Sequence, residues 1–308
     1  MKTKYEIRVL VHITYKNWVT LLLLVFFAGN VLGQTKTTLK KRASNSIIST
    51  KTVSKGTGYI STAFDLNLMK LPIGFKGINP IELYKSLAVK STSLQKEEFE
   101  TTGQFNERQN VETSKPIFGK LNKDSLFVFK VILSKPTFSE ILSYNADMEM
   151  LTVDTQLEFA KITGQEYDFS KKSITLKEVS KKERYIGTNA FGTSMKVTKI
   201  NSEMYQLLIE NWKDLEDKTD KYNLANIKYQ FQVNINTAKQ VKQNNGLGCL
   251  FIGKLSLPYS YTGYYYSGPA TIDSPIVSVD NYKYINMTVT EIWYYNTITG
   301  EILAKNKI

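Results

Sequence analysis

Between residues 126 and 304, apolar and polar side chains alternate mostly with a period of two, the mark of strands with one buried face. Leu126 to Leu133 is a dense apolar run. Met148 to Phe159 alternates, with Met148, Met150, Thr152 and Asp154 opposite Leu151 and Val153. Lys172 to Val179 repeats the pattern, and Glu183–Ala190 and Thr193–Ile200 form two more strands around Phe191-Gly192. Asn226 to Ile235 alternates most cleanly through Ile227, Tyr229, Phe231, Val233 and Ile235. Leu247 to Leu257 is mostly apolar, and Tyr284 to Tyr295 is the longest strand candidate. Asn296 to Gly300 then turns the chain back into Glu301–Ala304, a five-residue hairpin loop ending in glycine.

Helical spacing is rarer. Asn236 to Gly246 predicts a helix with Asn236 as cap, Ala238 and Val241 on one side, and a terminal glycine. Residues 203–216 fit two patterns. Tyr205, Leu208, Ile209, Trp212 and Leu215 keep helical spacing behind Ser202, but the stretch also continues a hairpin through Asn201-Ser-Glu203, and strand is the preferred reading. Upstream, Gly56 to Gly77 reads as a weak strand and then a loop. Asn79-Pro80 starts a short helix, Ile81 to Ala88, with Ile81, Tyr84, Leu87 and Ala88 on one face. Thr101 followed by Gln104 has capping-box spacing, so a second helix begins there and docks Phe99 and Phe105 into a core, or else presents Arg108 to a ligand. The expected fold is α+β, mostly antiparallel β with a few short helices. It divides into a small α+β region at 59–120 and a β-rich domain at 121–308.

The first 33 residues change the picture of the whole. A basic leader (Lys2, Lys4, Arg8, Lys16) precedes the apolar run Trp18 to Ala28 and the small-residue exit Gly29 to Gly33. This order predicts a cleaved signal peptide. The competing reading is a membrane anchor, because Asn17 to Thr35 is uncharged over 19 residues. The expected location is therefore periplasmic, extracellular or cell-surface. The net charge of +12 also redistributes. The leader holds +3, and residues 34–55 hold six Lys or Arg without an acid, leaving +3 for the rest. Residues 34–58 are read as a basic disordered linker. Membrane contact is expected only through that linker or an uncleaved leader.

Composition removes several chemistries. His12 is the single histidine and Cys249 the single cysteine. A mature chain would lack a Ser-His-Asp or Cys-His centre and any internal disulfide. Cys249 sits in the apolar Leu247-Gly-Cys-Leu-Phe-Ile252 and reads as a small buried hydrophobe. No glycine-rich phosphate loop or nucleophile elbow occurs, and no catalytic residue, metal or cofactor is assigned. Carboxylate chemistry survives, with Asp147, Asp273, Asp280 and Glu291 as candidates for a glycan hydrolase. The acidic groups Asp147-Met-Glu149 and Asp214-Leu-Glu-Asp217 lack the oxygen spacing of a calcium loop. The strongest positive feature is Pro258 to Gly268, read as a loop or irregular hairpin carrying Tyr259, Tyr261, Tyr264, Tyr265 and Tyr266. Tyrosine combines a flat apolar ring with a hydroxyl and few rotors to freeze, which suits sugars and protein partners. Basic residues do not interleave these rings, so nucleic acid is not an expected partner.

Four short pieces resemble a group of uncharacterised secreted bacterial proteins. They are Glu98-Phe-Glu-Thr-Thr-Gly-Gln-Phe-Asn-Glu-Arg108, Tyr144-Asn-Ala-Asp147, Tyr185-Ile-Gly-Thr-Asn-Ala-Phe-Gly192, and Ala238-Lys-Gln-Val-Lys242 with Gly253-Lys254-Leu255. The resemblance implies an envelope or exported β-rich module and no catalytic residues. The expected function is a non-catalytic binding module with a glycan or envelope-protein partner. The alternatives are a carboxylate-dependent glycan hydrolase and a structural component of a surface assembly.

Overall fold

The computed structural model describes residues 58–308 apart from 134–140, 163–167, 189–190, 216–217, 220–224 and 244. The leader, residues 34–57 of the basic stretch, and Glu216 and Asp217 of the second acidic group lie outside the described residues. In chain order the described elements are α1 (Pro80–Ser93), α2 (Thr102–Ser114), β1 (Phe127–Val131), β2 (Leu142–Asn145), β3 (Met150–Gln156), β4 (Glu158–Ala160), β5 (Asp168–Thr188), β6 (Ser194–Ile209), α3 (Trp212–Leu215), β7 (Lys218–Thr219), β8 (Ala225–Gln232), α4 (Ile235–Gln243), β9 (Leu247–Tyr266), β10 (Ile276–Asn296) and β11 (Ile302–Lys307). The protein is β-rich with few helices.

Two long hairpins build the main sheet. β5 pairs antiparallel with β6 from Lys172↔Ile209 to Thr188↔Ser194, and β9 pairs antiparallel with β10 from Asn296↔Leu247 to Val279↔Tyr266. The hairpins lie side by side with their returning strands adjacent. β6 and β10 therefore run parallel, from Ile276↔Thr198 to Met287↔Ile209. This corrects the mostly antiparallel expectation in part: the other ladders among the described strands are antiparallel, but the parallel contact makes the main sheet mixed. A two-residue period reports a strand's faces and carries nothing about its neighbour's direction. The sheet order is β1-β9-β10-β6-β5-β4, with β11 on the second half of β10. The sheet curls enough for the Ile132 N–H to reach the Thr175 carbonyl, 2.9 Å away.

A second, four-stranded sheet, β2-β3-β8-β7, covers the inner face. The expected strand from Met148 to Phe159 divides at Leu157, so β3 belongs to the small sheet and β4 to the large one. β3 alternates as its sequence requires, burying Leu151, Val153 and Thr155. Tyr229 and Phe231 of β8 stack on Tyr294 of β10, with centroids 5.5 and 5.4 Å apart. Leu83, Tyr84 and Leu87 of α1 and Ala238 and Val241 of α4 join the same core with Phe127, Phe129, Cys249, Phe251 and Met287. Each fully buried side chain of this size contributes roughly 1.5–3 kcal/mol. The outer face is covered twice. Residues 60–75 bring Leu71 and Phe75 onto Val128, Leu250, Ile252 and Trp293, and the segment through Ala160 and Ile162 covers Leu208, Tyr282 and Tyr284.

Several local expectations need revision. Residues 59–77 form bridges such as Tyr59↔Gly77 instead of a named strand. Helix α1 continues to Ser93, and Leu83 takes a buried place while Ala88 is exposed. Residues 203–209 are strand, as preferred, and Trp212–Leu215 adds one helical turn. Asn234, not Asn236, caps α4, its Oδ1 accepting the Thr237 N–H at 2.9 Å. The capping box at Thr101 forms, but α2 buries no side chain and Phe99 is 93% exposed. Arg108 fixes α2 instead. It donates to Glu100 at 2.8 and 2.7 Å and to the carbonyls of Ser93 and Gln95, so its guanidinium is committed to joining α1 and α2.

Candidate binding trough

Beyond the core, the outer halves of β5, β6, β9 and β10 continue as a four-stranded arm. β5 is exposed on both faces from Glu178 to Ile186. The expected tyrosine loop at 258–268 is part of this arm: strand β9 runs through to Tyr266. Pro258 and the glycines suggested a turn, but Gly263 serves a crossing. A Cβ there would stand 1.7 Å from the Lys161 carbonyl oxygen. The irregularity lies just upstream, where Ser256–Tyr259 bulges opposite Asn286. Across that bulge the odd-numbered residues of β9 exchange faces. Cys249, Phe251 and Leu255 point into the inner core, while Tyr261 and Tyr265 point to the outer cluster.

The five tyrosines consequently separate into three groups. Tyr259 is buried in the inner core, and burial, aided by the charge of Asp124, pushes its hydroxyl pKa up. Tyr261 and Tyr265 are half-buried on the outer face. The Lys171 ammonium lies 5.6 Å from the Tyr261 ring, and the Lys161 ammonium lies 4.1 Å from the Tyr265 ring. Tyr264 and Tyr266 stand on the inner face, 56% and 47% exposed.

Those last two rings border a trough of about 670 Å³. Its floor comes from all four arm strands: Tyr185 and Gly187, Met195 and Val197, Val277 and Val279, Tyr264 and Tyr266. The register places Tyr185 opposite Val197 and Val279 opposite Tyr266, so these groups share one face. The rim is Pro269 to Ile272, with Thr188 and Thr193 at the hairpin end. That rim loop is tied down. Thr271 and Ser274 exchange backbone hydrogen bonds at 3.0 and 3.2 Å, and the Thr198 N–H donates to the Pro275 carbonyl at 2.9 Å.

One charged side chain, Lys199, is among the residues lining the trough. Lys199 lies opposite Glu183, which also meets Lys181 at 2.7 Å, and the Lys181 hydrogen bond holds the Glu183 carboxyl below its usual range. Further toward the core, Lys283 meets Glu203 at 2.9 Å and donates to the Tyr205 hydroxyl at 3.2 Å, which in turn donates to Glu203 at 3.0 Å. Hydrogen bonds from Lys283 and Tyr205 lower the Glu203 pKa. Burial opposes the Lys283 charge, but Glu203 and Tyr205 outweigh it and its pKa rises.

Tyr264 and Tyr266 were legible as candidates in the sequence; Tyr185, Met195, Val197, Val277 and Val279 were not. The alternation Val277-Ser-Val279 was the available signal, in a stretch that adjoined the supposed loop.

The other candidates fall elsewhere. Asp147 lies in the turn between β2 and β3, its N–H bonded to Asn145 Oδ1 at 3.0 Å. Asp273 is in the rim loop, and Asp280 pairs in register with Tyr265. Glu291 accepts the Trp293 indole N–H at 2.7 Å. Cys249 is buried, and desolvation raises its thiol pKa strongly. Among the described residues, no cluster of three or more His, Cys, Asp or Glu could hold a metal, and no helix is long and apolar enough to cross a membrane. Compared with known proteins, the chain matches no family model, no curated protein and no solved structure.

Proposed function

We propose that the protein is an exported, non-catalytic binding module that holds a neutral glycan in the arm trough. The observation that carries this reading is the pair of exposed rings, Tyr264 and Tyr266, over the apolar floor of Met195, Val197, Val277 and Val279. Successive residues on one face of a strand are roughly 6.5–7 Å apart, which presents two flat apolar surfaces in a row. Sugar rings are apolar on their faces and polar at their edges. The threonine hydroxyls of Thr188 and Thr193 at the trough end, and the tyrosine hydroxyls, meet that second requirement. The other lining residues are uncharged, and Glu183 stands opposite Lys199 in register, so a mostly neutral surface meets the ligand. The rim loop is anchored by hydrogen bonds before any ligand arrives, which lowers the ordering cost of binding.

The test is titration calorimetry of the whole chain against a panel of neutral oligosaccharides, with acidic oligosaccharides and an unstructured peptide as comparators. Tyr264→Ala and Tyr266→Ala should each weaken neutral-sugar binding about tenfold, the effect of losing one buried aromatic face worth roughly 1.5 kcal/mol. Equal binding by the Tyr264→Ala/Tyr266→Ala double variant removes the trough from consideration. Preference for the peptide transfers the trough to a protein partner.

A further inference from the structure

A second site lies away from the arm, where β1 changes neighbours. Along its outer edge, β1 first pairs with the segment that precedes α1: Gly77 bridges Phe129, and the Ile78 N–H donates to the Val128 carbonyl at 2.8 Å. That segment then turns away into α1 at Pro80. Past the gap, β5 takes over, and the Ile132 N–H donates to the Thr175 carbonyl at 2.9 Å. A cavity of about 250 Å³ occupies the interval, lined by Tyr59, Lys76, Pro80, Lys130, Ile132 and Lys177 among others.

Three lysines line it, from three separate segments. The antiparallel bridge Gly77↔Phe129 places Lys76 directly opposite Lys130, on the same side of the sheet. Like charges at directly opposite positions are destabilising. Lys177 enters from β5. Among the described residues, no carboxylate forms an ion pair with any of the three. Glu178, adjacent in sequence, takes the Ser180 hydroxyl instead. The Lys76 ammonium lies 5.2 Å from the Tyr59 ring centroid, which adds an aromatic wall. Lys76 and Lys130 are both exposed side chains; desolvation, and then the charge of Lys76, lower the Lys130 pKa.

We infer that the Lys76–Lys130–Lys177 cavity is a binding site for a tetrahedral oxyanion, phosphate or sulfate, either free or carried on a small ring-bearing ester. A doubly charged oxyanion supplies the missing counter-charge to the facing pair Lys76 and Lys130, with Lys177 lining the same cavity. Its oxygens accept the charge-assisted hydrogen bonds that lysines donate. The cavity holds more than the anion alone, and Tyr59 stands where an attached ring would pack. This inference does not rest on the trough or on its ligand.

The experiment measures heat of binding and thermal unfolding of the whole chain with inorganic phosphate, sulfate and phenyl phosphate. Sodium chloride keeps the ionic strength equal throughout. Saturable binding of phosphate and sulfate is expected. Lys76→Gln and Lys130→Gln should each weaken it about tenfold, the size of one lost hydrogen bond to a charged group. In sodium chloride alone, both variants should unfold at or above the wild-type temperature, because one member of a repelling pair is gone. Tighter binding of phenyl phosphate than of inorganic phosphate assigns the site to the ester; equal binding assigns it to the free ion. A response to phosphate and sulfate no greater than to chloride overturns the inference. So does binding that survives in both variants, or a fall in their stability in sodium chloride that marks these lysines as structural.

Discussion

The β9–β10 ladder is two different objects at its two ends. At one end, Leu247–Leu255 faces Met287–Asn296 with both surfaces covered. Cys249, Phe251 and Tyr294 face the small sheet and the helices, while Leu250, Ile252 and Trp293 face residues 60–75. At the other end, Tyr261–Tyr266 faces Val279–Tyr284, and the inner surface is bare at Tyr264 and Tyr266. The backbone pairing is continuous apart from the bulges. Hydrogen bonding therefore cannot be what distinguishes stability from availability here. The distinction comes from what lies on the faces: covered rings hold the fold, and uncovered rings are left for a partner.

Removing a covered ring should have the largest effect. Tyr294→Ala leaves Tyr229 and Phe231 without the ring they stack on, in a site 1% exposed. A cost of about 3–5 kcal/mol is expected in denaturant unfolding. Gly248→Ala tests the same end without removing a contact. A Cβ there would stand 2.3 Å from the Tyr295 ring, so the ring or the strand must move. A cost of roughly 1–3 kcal/mol is expected, in the range of core overpacking. A loss below about 1 kcal/mol for Tyr294→Ala would place the core elsewhere.

Cys249 gives an intermediate effect at the covered end. Cys249→Ser puts a hydroxyl among Phe251, Tyr294 and their neighbours, and about 1–3 kcal/mol should be lost. Burial also raises the Cys249 thiol above its ordinary value of 9.0 and the Tyr295 hydroxyl from 10.0 to about 12. Groups whose folded pKa is raised contribute stability that is complete below their unfolded pKa. Rising pH removes it as the unfolded chain releases those protons first. Stability should thus be level below pH 9.0 and decline from there toward about 12. The decline is at most about 1.4 kcal/mol per pH unit for each such group. Unfolding free energy measured against pH checks the sign, and Cys249→Ala should remove the earliest part of the fall. Stability that rises across this window contradicts the burial of both groups.

The same contrast shows what the residue pattern can carry. Covered strands were legible because each buries one face, and alternation records that: Leu151 and Val153 in β3, Ile227 and Phe231 in β8. Strand direction was not legible, so the parallel contact of β6 with β10 escaped. Glycine and proline were misread in the arm. Gly263 reads as a turn signal, yet its lack of a side chain admits the Lys161 backbone. The bulge at Ser256–Tyr259 resets which face each later residue occupies, and no local pattern announces it. Hence five tyrosines could be named as a group while only two reach the trough. Phe99 failed in the opposite sense. The helix that follows it is held by the capping box and by Arg108, neither of which needs an apolar face.

The smallest expected effect on stability sharpens the comparison most, because it acts within one strand and one residue type. Tyr259 is 3% exposed among core residues, whereas Tyr264 is 56% and Tyr266 47% exposed on the arm. Tyr259→Ala should cost about 3–5 kcal/mol, the range for deleting a buried ring. Tyr264→Ala and Tyr266→Ala should stay within about 0.5 kcal/mol of the parent, because neither leaves a cavity nor strands a buried polar group. Denaturant unfolding of the three variants under one buffer measures the gap. If Tyr264→Ala costs as much as Tyr259→Ala, the arm folds as core and its rings are structural. If all three are near neutral, Tyr259 is not part of the inner core. A large gap with the predicted order means that a strand displaced across one bulge has passed from holding the fold to presenting a surface.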